Sequence, residues 1–230
     1  MIHQQAKPTE RSNWLSIKVT YEDYVLDNSR SKVLKELTAL FIDNLYHELS
    51  NFGNDALSTE FAQHVPLSEQ QAESELWHQL RRIRITASGF KEFTKNQSGA
   101  IKKLWNVNMD LSHIPAIKYG IESEPLALAA FAKDHGEVQR CGLFINKTYP
   151  MFGASPDGIV GSHLIEIKCP FILKDAEPTD LNGLTKQQKQ TFFCELSGSN
   201  DLRLKRSHKY YSQVQAQMFV TGFKKCIFIV

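Results

Sequence analysis

The chain lacks the paired cysteines that would announce a metal finger or a disulfide framework. Cys141, Cys169, Cys194 and Cys226 are scattered and form no C-x-x-C motif, and no two histidines stand at a helical metal-binding spacing. A zinc site is therefore not expected, and lone thiols fit a reducing compartment. No run approaches the ~20 apolar residues of a membrane span, so no membrane partner is expected. The first residues, MIHQQAKPTERSNW, have no apolar run behind a basic start, unlike a secretory signal. The expected location is intracellular, cytoplasmic or nuclear. There is little net charge either: 27 basic against 25 acidic residues leaves a formal +2. Bulk charge thus neither supports nor excludes a nucleic-acid partner, and local clustering has to decide. No internal repeat breaks the chain into units.

What is present is 230 residues, 42% of them hydrophobic, enough for one well-buried core. Residues 1 to about 28 read as a polar, variable leader. Val33, Leu37, Leu40, Phe41, Leu45 and Leu49 recur at helical spacing, and residues 1–66 together read as a variable helical extension ahead of a core at 67–230. Ser68 and Gln71 have the spacing of a capping box, followed by an apolar stripe of Leu76, Leu80 and Ile83. Thr86 or Ser88 opens a further helix. ESEPLALAAFAKDHG predicts a helix with Pro125 in its first turn and Gly136 as its stop. Strands are expected at Arg140–Ile145, at Met151–Val160 and in HLIEIKCP. Residues 174–206 read as a long polar loop holding at most a short helix. KYYSQVQAQMFVT predicts a helix stopped by Gly222, and KKCIFIV a buried strand. A core strand as the last element reads as a chain trimmed at its C-terminus.

The most informative stretch is MFGASPDGIV-GS-HLIEIKCP. Gly161-Ser162 between two apolar runs predicts a two-residue type II′ hairpin. Val160 then pairs with His163, which sets Asp157 opposite Glu166 and Ser155 opposite Lys168. With side chains alternating faces, those four share one face, while Ile165 and Ile167 share the other, buried one. Directly opposed carboxylates have Cβ atoms ~5 Å apart and repel, an arrangement that asks for a cation. Hard oxygen donors suit Mg²⁺ or Mn²⁺, and Lys168 beside the ion can orient or deprotonate water or steady charge on a phosphate. Glu166 and Lys168 alone would equally suit a solvated sheet face. Asp157 within S-P-D-G is what favours a metal site, although Pro156 cannot donate to a ladder.

Asp157 followed by E-I-K at Glu166–Lys168 is similar to the motif of the PD-(D/E)xK nucleases. S-P-D-G with E-x-K-C-P more closely resembles the lambda exonuclease and YqaJ-like viral recombinase family. W-H-Q-L-R-R-I-R-I-T-A-S from Trp77, G-I-E-S-E-P from Gly120 and Y-Y-S-Q-V-Q-A-Q-M from Tyr210 resemble that family's other motifs, in its order, over about 75–230. The resemblance implies an α/β (α+β), restriction-endonuclease-like core: a mixed central sheet flanked by helices. It implies Mg²⁺-dependent, 5′-to-3′ digestion of linear double-stranded DNA carrying a 5′-phosphate. Asp157 and Glu166 match the metal ligands, with the Ile167 backbone carbonyl, and Lys168 matches the catalytic lysine. Glu124 matches the helix glutamate near the metal. Arg81, Ser88 and Ser155 match the pocket for the terminal 5′-phosphate, with Arg84 beside them. Gln213 or Gln215 matches the glutamine near the water, and spacing does not separate the two. A homo-oligomer or a single-strand annealing protein is the implied partner besides DNA.

Each supporting residue also has a plainer reading. The arginines suit a basic helix end as well as a phosphate pocket. Glu122 and Glu124 suit the first turn of a helix through its dipole. Gln213 and Gln217 share one helix face with Tyr210, Gln215 faces elsewhere, and any buried glutamine needs partners. Lys186, Lys189, Arg203, Lys205, Arg206 and Lys209 suit solvent as well as phosphate contacts. Two rival functions stand beside the exonuclease: an endonuclease of the same fold and a catalytically silent DNA-binding module. The intact Asp157, Glu166 and Lys168 set argues against the latter.

Overall fold

The computed structural model describes residues 16–20, 64–65, 71, 75–82, 84–96, 113–146, 148–175, 181–196 and 202–230. The helix expected at 33–49 and the capping-box serine at 68 lie outside them.

The last strand organises the centre. β10 (Lys225–Ile229) is paired on both sides, antiparallel to β1 (Ser16–Thr20) and parallel to β7 (His163–Ile167). β6 (Gly158–Val160) closes this four-stranded mixed sheet at the far side of β7. A strand covered on both faces reads as a continuous apolar run, which is why KKCIFIV was legible. Alternation then sends Ile227 and Ile229 to one face with Ile165 and Ile167, against Ala127 and Phe131. Leu164, Cys226 and Phe228 face the other way, against Val214 and Met218.

A second mixed sheet has the order β2 (His64–Val65), β4 (Leu143–Ile145), β5 (Phe152–Ala154), β3 (Ile85–Thr86). Helix α1 (Glu75–Arg82) precedes β3, and α2 (Phe90–Lys95) follows it. The long α3 (Pro115–His135) covers the Ile165 face of the first sheet. The short α4 (Lys186–Thr191) leads to the hairpin β8 (Cys194–Leu196) and β9 (Leu202–Leu204). Helix α5 (Lys209–Thr221) lies between the two sheets: Val214 and Met218 pack into the first, Ala216 and Val220 into the second. Its burial all round matches its lack of a single apolar stripe. The architecture is the α/β arrangement of mixed sheets and helices that the sequence led us to expect.

Four expectations need correction. Residues 16–20, read as leader, form an edge strand whose Ile17 and Val19 point into the core; five alternating residues in polar surroundings give a weak signal. Pro125 is not in a first turn, because α3 starts ten residues earlier with Pro115 at its head. The Met151–Val160 run is two strands in different sheets, split at Ser155-Pro156. The 174–206 loop carries the β8–β9 hairpin besides α4.

Candidate active site

Gly161 has φ 53° and is the one turn residue with positive φ, as a II′ reversal requires. The pairing follows: Val160 with His163, Ile159 with Leu164, Gly158 with Ile165. There the ladder ends, at Pro156-Asp157. Asp157 lies in a bend, its N–H donating to the Ile165 carbonyl at 3.0 Å. It is therefore not the ladder partner of Glu166 that uninterrupted pairing predicts. The bend instead brings Asp157 Oδ2 to the β7 backbone, where it accepts from Ile167 N–H at 2.6 Å. Gly158 is required beside it, since a Cβ there would collide with Val138 Cγ1 and crowd the Gln139 carbonyl at 3.2 Å.

Glu166 interrupts the apolar run of β7 and is 1% exposed. A buried carboxylate needs hydrogen-bond donors, and α5 supplies two. Gln213 Nε2 donates to Oε1 at 2.5 Å and Gln217 Nε2 to Oε2 at 2.6 Å, from positions four apart on one helix face. Lys168 Nζ donates to the same Oε1 and, at 2.8 Å, to the Ile167 carbonyl. Burial by itself would lower the Lys168 pKa. Glu166, Asp157 and Glu124 around it raise it instead, so the group is held as an ammonium.

Glu124 projects from the middle of α3, nine residues beyond Pro115, which removes the helix-dipole explanation for it and for Glu122. It lines one cleft of about 390 Å³ with Asp157, Glu166, Lys168, Gln213 and Gln217. Burial, and then Glu166, push the Glu124 carboxyl up, against the pull of Lys168 and of a hydrogen bond with Asp157. Burial again leads for Asp157, followed by Glu166, and its carboxyl stands well above the usual range. Both shifts point the same way: three acids crowd one lysine, and burial disfavours their charged forms.

Arg81, Ser88 and Ser155 line the same cleft. The Arg81 guanidinium lies 4.0 Å over the Trp77 ring, and Trp77 Nε1 donates to Ser155 Oγ at 2.8 Å. Burial lowers Arg81 to about 10, with Glu166 acting the other way, so it is a cation at neutral pH. Ser88 Oγ is exposed, 3.0 Å from Thr86 Oγ1. Two residues expected here lie elsewhere. Arg84 is 4% exposed and turned inward, donating to the carbonyls of Pro150 and Leu80 at 3.1 and 2.7 Å. Gln215 donates to the Thr20 carbonyl at 2.9 Å, tying α5 to β1. Three residues were missed: Gln217, Trp77 and Gln71. Gln71 Nε2 donates to Cys141 and Pro156 carbonyls at 2.9 and 3.0 Å, steadying the chain just before Asp157. Helical spacing places Gln217 on the face of Gln213 but gives it no role in the site.

Among the described residues no three Asp, Glu, His or Cys side chains converge as a ready cage for an ion. The donor chemistry nevertheless fits a hard divalent cation. Asp157, Glu166 and Glu124 line one cleft, the Ile167 carbonyl is within reach of the ammonium that also holds Glu166, and a cation would neutralise the acids gathered there. The Lys168 ammonium holds the Ile167 carbonyl and Glu166 Oε1, so Oε2 is the carboxylate oxygen open to an ion.

A family described as the YqaJ-like viral recombinase domain matches residues 76–224. Among curated proteins there is no match. Similar solved structures include an alkaline exonuclease, LHK-Exo, from Laribacter hongkongensis, at 28% identity over 67% of this chain and 72% of that one, with a TM-score of 0.46. LHK-Exo in complex with dAMP matches with the same identity and coverage and a TM-score of 0.48.

Proposed function

Since the chain belongs to the YqaJ-like viral recombinase domain family, we propose that it is a metal-dependent deoxyribonuclease that hydrolyses DNA from its ends. The substrate is linear double-stranded DNA with a 5′-phosphate, and digestion runs 5′ to 3′. The observation that carries this reading is that one cleft is lined by Asp157, Glu166, Lys168 and Glu124 together with Arg81, Ser88 and Ser155. It gathers oxygen donors around an ammonium, and it also offers a guanidinium and hydroxyls, the groups that bind a phosphate.

Asp157, Glu166 and the Ile167 carbonyl are the residues to hold Mg²⁺, or Mn²⁺ in its place, with Glu124 beside them. When bound, the ion supplies Lewis-acid polarisation of the scissile phosphate and a water acidic enough to attack at neutral pH. The chain's own groups do the rest. Without a cation the acidic groups repel a phosphodiester, so the cation is in place before DNA seats. Lys168, held as an ammonium, donates to the negative charge that develops on phosphate. It orients water rather than accepting its proton. Gln213 keeps Glu166 in place. Arg81 on its Trp77 platform, with Ser88 and Ser155, anchors the terminal phosphate and so counts each cut from the end.

The test is digestion of end-labelled linear DNA in Mg²⁺, with and without a 5′-phosphate, beside closed circular DNA. Linear phosphorylated DNA should be shortened from its 5′ ends and circles left whole. Cutting of the circles would instead establish an endonuclease, and no cutting of either would leave a binding module.

A further inference from the structure

Gln217 is the one buried group of the cleft whose hydrogen bonds are half used. Its side chain is 1% exposed, its Nε2 donates to Glu166 Oε2, and among the described residues its Oε1 meets no donor. The amide cannot be turned over to cure this, because Oε1 would then face a carboxylate oxygen, acceptor against acceptor. The orientation is therefore forced, and Gln217 with its orphaned oxygen lines the cleft that holds Asp157, Glu166 and Lys168.

The donors on Glu166 are divided unequally. Oε1 takes Lys168 Nζ and Gln213 Nε2, which uses both of its lone pairs. Oε2 takes Gln217 alone. One lone pair of Oε2 is left, and its direction is set by Gln217.

We propose that Gln217 is a positioning residue for the divalent cation: it fixes the open lone pair of Glu166 Oε2 toward the ion, and its own Oε1 accepts from a water that enters with that ion. This rests on the metal-dependent reading above. Gln213 cannot substitute, since it grips the other oxygen. A helix buried on both sides holds Gln217 in place, so the carboxylate is oriented before any ion arrives.

The test is Mn²⁺ binding to the full-length chain without DNA, followed by calorimetry and by the paramagnetic signal of free Mn²⁺. Gln217→Met keeps the side chain's bulk and removes both polar atoms. It should raise the Mn²⁺ Kd roughly ten- to hundredfold, the usual effect of losing a group that orients a ligand. Gln217→Asn, too short to span the gap, should do the same if the Met variant folds poorly. Met218→Ala, one residue along and buried in the core, should lower Tm and leave the Kd unchanged. Gln217→Met binding Mn²⁺ like the parent would overturn this inference and leave the metal site standing. A parent chain that takes up no Mn²⁺ would overturn both, and an equal loss in Met218→Ala would reduce Gln217 to a packing residue.

Discussion

Lys168 is surrounded by three acidic side chains and stays charged because of them. In the proposed reaction its contribution is to the charge that forms during cleavage rather than to affinity. Lys168→Ala should lower kcat by roughly 10²–10³, as loss of one aimed donor does, while DNA binding in a filter or polarisation assay stays close to the parent's. A variant that cleaves at full rate would remove Lys168 from the reaction. Asp157 has the opposite effect on the fold. Its folded-state pKa is raised by burial and by Glu166. The associated stability is fully present below the unfolded-state value and lost as pH rises through the folded one. At neutral pH the cation-free chain thus bears an electrostatic cost there. Asp157→Asn keeps an acceptor for Ile167 N–H and removes that cost. It should raise the cation-free Tm by a few degrees, since about 1 kcal/mol shifts Tm by roughly 2–4 °C at this size, while abolishing cleavage. A lower Tm in thermal melts would contradict it.

At the scale of elements, α5 carries both glutamines, and its first turn depends on pH. His208 is the N-cap, and its Nδ1 accepts from Tyr210 N–H at 3.2 Å, which only the neutral ring can do. Burial first, then Lys209, Lys91 and Lys205, lower its folded-state pKa. On acidification the unfolded chain takes up this proton first. The stability tied to neutral His208 is complete above about 6.5 and lost as pH falls through the folded-state value. His208→Asn, which caps at any pH, should flatten the dependence of Tm on pH between about 7 and 5. An unchanged slope would show that the cap is not the sensitive group. Elements also show what was legible beforehand. The β6–β7 register could be counted because a two-residue turn leaves no slack. The bend at Asp157 could not, since the close approach of Val138 to Gly158 comes from outside the hairpin and leaves no trace in its spacing. Helical phase separates Gln215 from Gln213 and Gln217, but a helix buried all round offers no stripe to say which of those faces meets the carboxylate. The β8–β9 hairpin was hidden because its strands are three residues long, with one exposed position in β9 and two in β8.

For the whole molecule, the proposed cation site implies a linkage between folding and ion binding. An ion that binds only the folded chain stabilises it by an amount set by concentration over Kd, about 2.7 kcal/mol at a hundredfold excess. Mg²⁺ should therefore raise Tm in a concentration-dependent way, a chelator should reverse the rise, and Asp157→Asn should show none. A parent Tm indifferent to Mg²⁺ would count against a preformed site. The placement of α5 between two sheets gives this linkage its reach. Most enzymes tune their chemistry through surface segments that loosen without disturbing the scaffold. Here Gln217 sits buried on a helix packed into two hydrophobic cores, and its release requires both to separate. Its backbone proton should exchange with deuterated water among the slowest in the protein, at the rate of global opening.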